Sequence, residues 1–310
     1  MAADPRTLAR RWALLSCVPV LLLAAIVACD PSPEPRPADA PAGAQRGPAG
    51  AAAAAVLTAA PAAAVAPDPA DGDRGLAAER DGYRLDAAAT ELPAGRPAAY
   101  SFTITGPDGQ PVTDFEVHQT RKLHFYAIRS DLTGFQHLHP EMAADGTWTA
   151  DLTALTPGTW RLYASFLPGS TAHRSTETVL SRTVTVPGTS TAVPLPAPAG
   201  TATVDGYTVA LAGEPMAGAY RLTATVTRDG QPVTDLQSYL DSYAHLTAFH
   251  EGDQALAHLH PADKVDADHG GGPVLTFHAM LPRAGNWRVF LQFQTAGRLH
   301  TAELTLNAAA

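Results

Sequence analysis

The chain has 310 residues, with 21 Lys and Arg against 30 Asp and Glu and a formal net charge of −9. That length suits two ordinary domains, and an acidic balance without clustered Lys and Arg excludes a nucleic-acid partner, whose phosphates demand such clusters. The two cysteines, Cys17 and Cys29, both lie near the N-terminus, so the body can hold no disulfide and no Cys-ligated zinc or iron–sulfur site. A metal there must be bound by His, Met, carboxylate or backbone oxygen.

Arg6, Arg10 and Arg11 precede an apolar run from Trp12 to Ala28. A basic patch followed by a short apolar run reads as an export signal. An uncleaved N-terminal anchor helix is the competing reading, since the run is at the low edge of spanning length, and Arg10-Arg11 also fits a twin-arginine signal. The run ends Ile26-Val27-Ala28-Cys29, which resembles the lipobox of bacterial lipoproteins. The resemblance implies that residues 1–28 are a signal peptide and that Cys29 is lipidated. The body is then expected at the extracytoplasmic face of the cell membrane, where paired acyl chains anchor far better than one. Residues 29–78 are dominated by Ala, Pro, Gly and Asp. They offer too little apolar bulk to offset ordering entropy and are expected to form a disordered Ala/Pro-rich tether.

The body is a duplication. Residues 108–114 read Asp-Gly-Gln-Pro-Val-Thr-Asp, and residues 229–235 repeat them at an offset of 121. At that offset His124 meets His245, His137 meets His258, and His139 meets His260. Upstream, Asp81-Gly82-Tyr83 answers Asp205-Gly206-Tyr207. Downstream, Gly158, Trp160, Arg161 and Phe166 answer Gly285, Trp287, Arg288 and Phe293 at an offset of 127, the extra residues falling in a Gly-rich loop near His269. Repeat one is placed at 79–188, a linker at 189–200 and repeat two at 201–310.

Each repeat reads as all-β. Repeat one offers strands near 82–87, 98–105, 121–129, 135–139, 146–152, 158–166 and 178–186, rich in Val, Thr, Tyr, Phe and Trp and separated by turn signals such as Asp145-Gly146 and Pro157-Gly158. Seven short strands in about 100 residues predict an immunoglobulin-like β-sandwich, with Trp160 and Trp287 filling the cores in place of the usual disulfide.

All twelve histidines lie in the repeats. Two of each repeated trio form a His-Leu-His-Pro run, and residues i and i+2 of a strand share a face. If Arg129 pairs with Gly134, His124 falls opposite His139 and Tyr126 opposite His137; in repeat two His245 falls opposite His260. Three imidazoles per repeat would then converge, a set suited to Cu(II) or Zn(II). The candidate metal ligands are therefore His124, His137 and His139, and His245, His258 and His260. Water, Glu141 or Met142 in repeat one, and Asp266, Asp268 or His269 in repeat two, are candidate fourth ligands, with Asp114 and Asp235 as orienting partners. Equally, the histidines could be structural, hydrogen-bonded to backbone, with the prolines ending edge strands. His118, His173, His250, His269, His278 and His300 have no clear counterpart between copies, and most are expected at the surface.

The Asp-Gly-Gln-Pro-Val-Thr-Asp turn, the His about ten residues later, His-Leu-His-Pro and the Gly-x-Trp-Arg strand together resemble the YtkA-like and FixH-like secreted domains of bacterial envelope proteins. The resemblance implies an immunoglobulin-like fold and metal handling, often of copper. The partners expected are the membrane, through the lipid anchor, and a metal transporter or other envelope protein. The alternative is a structural or interaction module without metal. An enzyme is not expected: the body lacks a Cys nucleophile, a Gly-x-Ser-x-Gly elbow, a phosphate loop and a His-Glu-x-x-His run.

Overall fold

The computed structural model describes residues 56–57, 75–169, 177–266 and 269–309, the side chain of His258 excepted. The export signal, Cys29, nearly all of the tether and His173 lie outside the described residues. Among those described, no helix is long and apolar enough to cross a membrane. Both repeats belong to one compact unit, Gly50–Ala310.

A short strand β1 (Val56–Leu57) precedes the first repeat. Repeat one then comprises β2 (Glu79–Arg80), β3 (Tyr83–Asp86), β4 (Ala98–Thr105), β5 (Phe115–Glu116), β6 (Leu123–Arg129), β7 (Gln136–Leu138), β8 (Glu141–Met142), β9 (Thr147–Leu152), β10 (Gly158–Pro168) and β11 (Thr178–Val186). These form two sheets, β2-β3-β4-β9-β8 and β11-β10-β6-β7, with β5 alongside β10. This is the strand order of an immunoglobulin-like sandwich, with β6, β10 and β11 in one layer and β3, β4, β9 and β8 in the other.

Repeat two comprises β12 (Thr201–Val204), β13 (Tyr207–Met216), β14 (Ala219–Arg228), β15 (Gln231–Pro232), β16 (Ala244–His250), β17 (His258–Pro261), β18 (Val274–Met280), β19 (Gly285–Thr295) and β20 (Arg298–Ala308). Its sheets are β12-β13-β14-β18-β17, with β15 beside β14, and β20-β19-β16, with β1 parallel on the β20 edge.

The sequence explains the layers. Along β4, Tyr100, Phe102 and Ile104 turn into the core while Ser101, Thr103 and Thr105 turn away. Asp81-Gly82 and Asp205-Gly206 both hold positive φ between paired strands, the conformation that a two-residue hairpin turn needs and that Gly supplies without strain. Trp160 and Trp287 are each fully buried at a sandwich centre. Each donates its indole N–H to a backbone carbonyl four residues earlier, Thr156 and Arg283. The duplicated position thus carries a duplicated hydrogen bond.

A third apolar cluster lies between the repeats. It joins Tyr126, Ile128, Leu132 and Tyr163 of repeat one to Phe249, Leu256 and Phe290 of repeat two. Phe135 stacks on Phe290 with ring centroids 4.2 Å apart. At the repeat offsets Ile128 corresponds to Phe249, Tyr163 to Phe290 and Phe135 to Leu256, so the same sheet face of each copy supplies the contact. The Tyr163 hydroxyl donates to the Gln254 carbonyl, and the Gln254 amide donates back across to the Arg129 carbonyl. The linker is ordered along this joint: Val193 N–H donates to Asp131 at 2.8 Å, and Leu195 packs on the apolar cluster. Asp131 also forms a buried ion pair with Arg129.

Candidate functional site

Two strands position the site. In β6, Leu123, Phe125 and Ala127 enter the core of repeat one, so His124, Tyr126 and Ile128 point to the opposite face. In β16, Ala244, Leu246 and Ala248 enter the core of repeat two, and His245, Thr247 and Phe249 point away from it. In an isolated sandwich these outward faces would be wet. Here they face one another, and His124 and His245 are only 3% and 6% exposed.

The hairpin of repeat one has the register that brings its histidines together. Tyr126 pairs with His137 and Phe125 with Leu138, so the next step along sets His124 opposite His139, as the sequence predicts. The His124 ring lies 5.3 Å from that of His137 and 5.1 Å from that of His139. His137 in turn lies 4.7 Å from His139 and 4.7 Å from His245. The His124 and His245 rings are parallel, 5.8 Å apart. Four imidazoles, three from one repeat and one from the other, form one cluster.

Repeat two departs from the expected trio. Its hairpin starts in the matching register, with Phe249 bridged to Leu256, but after the Ala257–Ala248 hydrogen bond the chain leaves β16. His258–Pro261 joins the longer β18 instead, setting His260 opposite His278 rather than His245. Backbone pairing with the other sheet outcompetes continuation of the hairpin. His258 opens β17 opposite Met280, and its side chain is outside the described residues. The two copies therefore do not build equivalent sites.

The hydrogen bonds define where protons sit. His124 Nε2–H donates to the His118 carbonyl at 3.1 Å, since a carbonyl can only accept. His137 Nδ1–H donates to Gln292 Oε1 at 2.8 Å, and the other end of that amide donates to Thr301. These outer bonds leave His124 Nδ1 and His137 Nε2 with lone pairs that face each other 3.1 Å apart. His245 Nε2 lies 3.3 Å from the Tyr126 hydroxyl. One nitrogen each from His124, His137 and His245 falls within 4.8 Å of the others. His139 Nε2 is buried and has no hydrogen-bond partner.

All four rings are held neutral. Burial lowers the proton affinity of His124 and pushes His137 well below the usual histidine range, with neighbouring imidazoles adding to the effect. Burial takes His139 down to about 4 and His245 down to about 3. The Glu177 carboxylate, which accepts a hydrogen bond from Ser165, opposes the shift at His124 and His245.

Two of these nitrogens stand at the spacing of ligands to one transition-metal ion. Two nitrogens on one ion at about 2.0–2.1 Å, with angles of about 90–110°, stand about 2.9–3.4 Å apart, and the observed 3.1 Å lies in that range. Ligating histidines characteristically donate their outer N–H to an oxygen that fixes the ring. Those oxygens are the His118 carbonyl and Gln292, in place of Asp114 and Asp235. Asp114 instead takes part in a loop contact through its carbonyl to Gly169.

Of the expected fourth ligands, Asp268 lies outside the described residues and the others lie away from the cluster. Met142 packs on the core of repeat one, Glu141 is exposed, and His269 pairs with Asp266 at the surface. Two residues expected at the surface are structural. His300, only 4% exposed, bonds Asp205 and Thr295. His250 bridges Asp253 and the Ala284 carbonyl.

Sequence reasoning passed over Gln292, Tyr126 and His118. Gln292 carried a signal, since it occupies the position of Ser165 in repeat one, and both pair directly with the duplicated histidine, Ser165 with His124 and Gln292 with His245.

No curated protein matches the chain. Among solved structures, it is similar to the Escherichia coli adhesin FdeC at 13% identity and a TM-score of 0.24, over 74% of this chain and 64% of that one. It is also similar to the fibronectin(III)-like modules of Clostridium thermocellum CbhA at 13% identity and a TM-score of 0.20, over 74% of this chain and 93% of that one. A Salmonella alpha-2-macroglobulin aligns at 14% identity and a TM-score of 0.25, over 78% of this chain but 16% of its own. Residues 78–185 and 202–310 each match the model described as Domain of unknown function (DUF8832), and the chain, most of which these two matches cover, belongs to that family.

Proposed function

We propose that this chain is a metal-binding module in which one Cu(II) or Zn(II) ion is held between the two repeats by His124, His137 and His245, with His139 as a fourth nitrogen. The observation that carries this reading is the 3.1 Å approach of His124 Nδ1 to His137 Nε2, each ring fixed by an oxygen behind it. Neutral imidazoles oppose protonation in a buried site, and a cation satisfies both nitrogens at once. Divalent ions of the later first row favour such a nitrogen set, Cu(II) most tightly. Binding would be expected at one ion per chain. Under the same reading the protein is tethered through Cys29 outside the cytoplasmic membrane, as a buffer or donor of metal to another envelope protein.

Titration of the full chain with Cu(II) and Zn(II), read by calorimetry and by metal analysis after desalting, tests the reading. A stoichiometry near one that His137→Ala abolishes is the expected result. The absence of binding tighter than tens of micromolar for both ions would overturn it.

A second reading rests on the direct bonds across the joint, His137 to Gln292 and Tyr126 to His245. Here the histidines fasten the two sandwiches without metal, and the protein is an interaction module of the envelope. His137→Ala would then lower stability equally in the presence of metal and of chelator.

A further inference from the structure

Beside the buried cluster lies an open cleft of about 570 Å³. Repeat one contributes His118 and Gln119 to its wall, and repeat two contributes Leu240, Asp241 and the segment from His260 to Val265. The His118 ring stands perpendicular to that of His260, with centroids 6.3 Å apart. It also lies 6.3 Å from the ring of His124. His118 is half-buried, whereas His124 is buried. The imidazoles of His260, His118 and His124 therefore form a continuous series from the cleft to the buried nitrogens. Each step is the width of one ring pair.

We infer that this cleft is the port through which a divalent metal ion enters and leaves the buried cluster, with His118 and His260 as its capture pair. The inference rests on the metal-binding reading above. An ion moving from water into a buried site must lose its hydration shell, and an uncompensated ion in a low-dielectric interior is costly. Imidazoles spaced one ring apart replace that shell piecemeal. The carboxylates of Asp241 and Asp263 line the cleft together with the Lys264 ammonium, so its formal balance is negative; Asp263 also accepts the Thr276 N–H. The two turns that flank the opening are alike: Gln119 and Thr120 hold φ of 47° and 65°, and their counterparts Leu240 and Asp241 hold 55° and 61°. These non-glycine residues stand in the left-handed region, where the chain persists only when its surroundings fix it. The mouth is thus built from the same loop of both copies. The outer hydrogen bond of His124 uses the backbone carbonyl of His118, so replacing the His118 side chain leaves that support in place.

A port residue lowers one barrier that is crossed in both directions, so its loss slows uptake and release by the same factor and leaves affinity unchanged. The test is stopped-flow transfer of Zn(II) between the full chain and a chromogenic chelator, in both directions, for the parent, His118→Ala/His260→Ala and His137→Ala. Asn replaces Ala at both positions if the first variant shows an altered thermal transition. The expected result is uptake and release each slowed about tenfold or more in the double variant, equivalent to at least one barrier increment of that size, with affinity within about threefold of the parent. Unchanged rates overturn the port. Affinity that falls with unchanged uptake also overturns it, making the pair ligands instead. A parent chain that takes no Zn(II) from the chelator and none by direct titration overturns the metal reading itself, and the port falls with it.

Discussion

Replacing Phe290 with Ala tests the joint on which the site depends. Phe290 lies on the face of β19 that points away from the core of its own repeat, yet it is completely buried. Phe135 of the other repeat stacks on this side chain with ring centroids 4.2 Å apart. If the repeats dock as described, the substitution empties an aromatic-sized volume and costs about 3–5 kcal/mol, of which the lost ring pair accounts for about 0.5–1.5 kcal/mol. For a body of this size each kcal/mol lowers the melting temperature by about 2–4 °C. Urea unfolding followed by Trp fluorescence reads the change, because Trp160 and Trp287 report one sandwich each. Uncoupled repeats would also separate the single transition into two. If the two sandwiches instead behave as independent beads, Phe290 is a surface residue and its loss falls within about 0.5 kcal/mol. A change that small would refute the face-to-face packing and the composite site with it.

Acid should weaken the metal-free protein before its carboxylates titrate. The folded state holds His245 down to about 3, below the unfolded value, so the unfolded chain binds the extra proton first; stability is intact above about pH 6.5 and is lost as pH falls below it. Between pH 7.5 and 5 this one histidine is worth about 2 kcal/mol, and a urea midpoint that stays flat over that interval would contradict the buried neutral cluster. Gln292→Leu keeps the side-chain volume but removes the oxygen behind His137; metal affinity should fall by about 10–100-fold, and an unchanged affinity would show that this oxygen does not orient the ring. Gly134→Ala should cost about 1–3 kcal/mol, because φ is +72° there and a methyl would lie 2.4 Å from the Trp160 ring. A midpoint equal to the parent's would show that Trp160 can move.

Much of the fold was legible because alternation and turns are local. The predicted strands at 98–105 and 178–186 coincide with β4 and β11, and the Asp-Gly turns announce their hairpins. The register of the first His-Leu-His segment was also readable, since a short loop leaves few ways to pair. The divergence of the second copy was not. His260 answers to β18, a partner distant in sequence, and the same four letters, His-Leu-His-Pro, serve different sheets in the two repeats. The joint itself had left a trace that alternation hid. Every residue of β6 is buried, and all but the last of β16; a strand covered on one side only should show alternate exposure. Tyr126 and Ile128, or Thr247 and Phe249, look like ordinary strand-formers until a second sheet is placed over them.

The linker changes the statistics of this joint. Because Val193 and Leu195 hold the connection against the face it spans, opening and closing are events within one molecule. A tether this short presents each face to the other at an effective concentration in the millimolar range. Dilution therefore leaves the closed fraction untouched. The joint thus does not need the area that would hold two free proteins together.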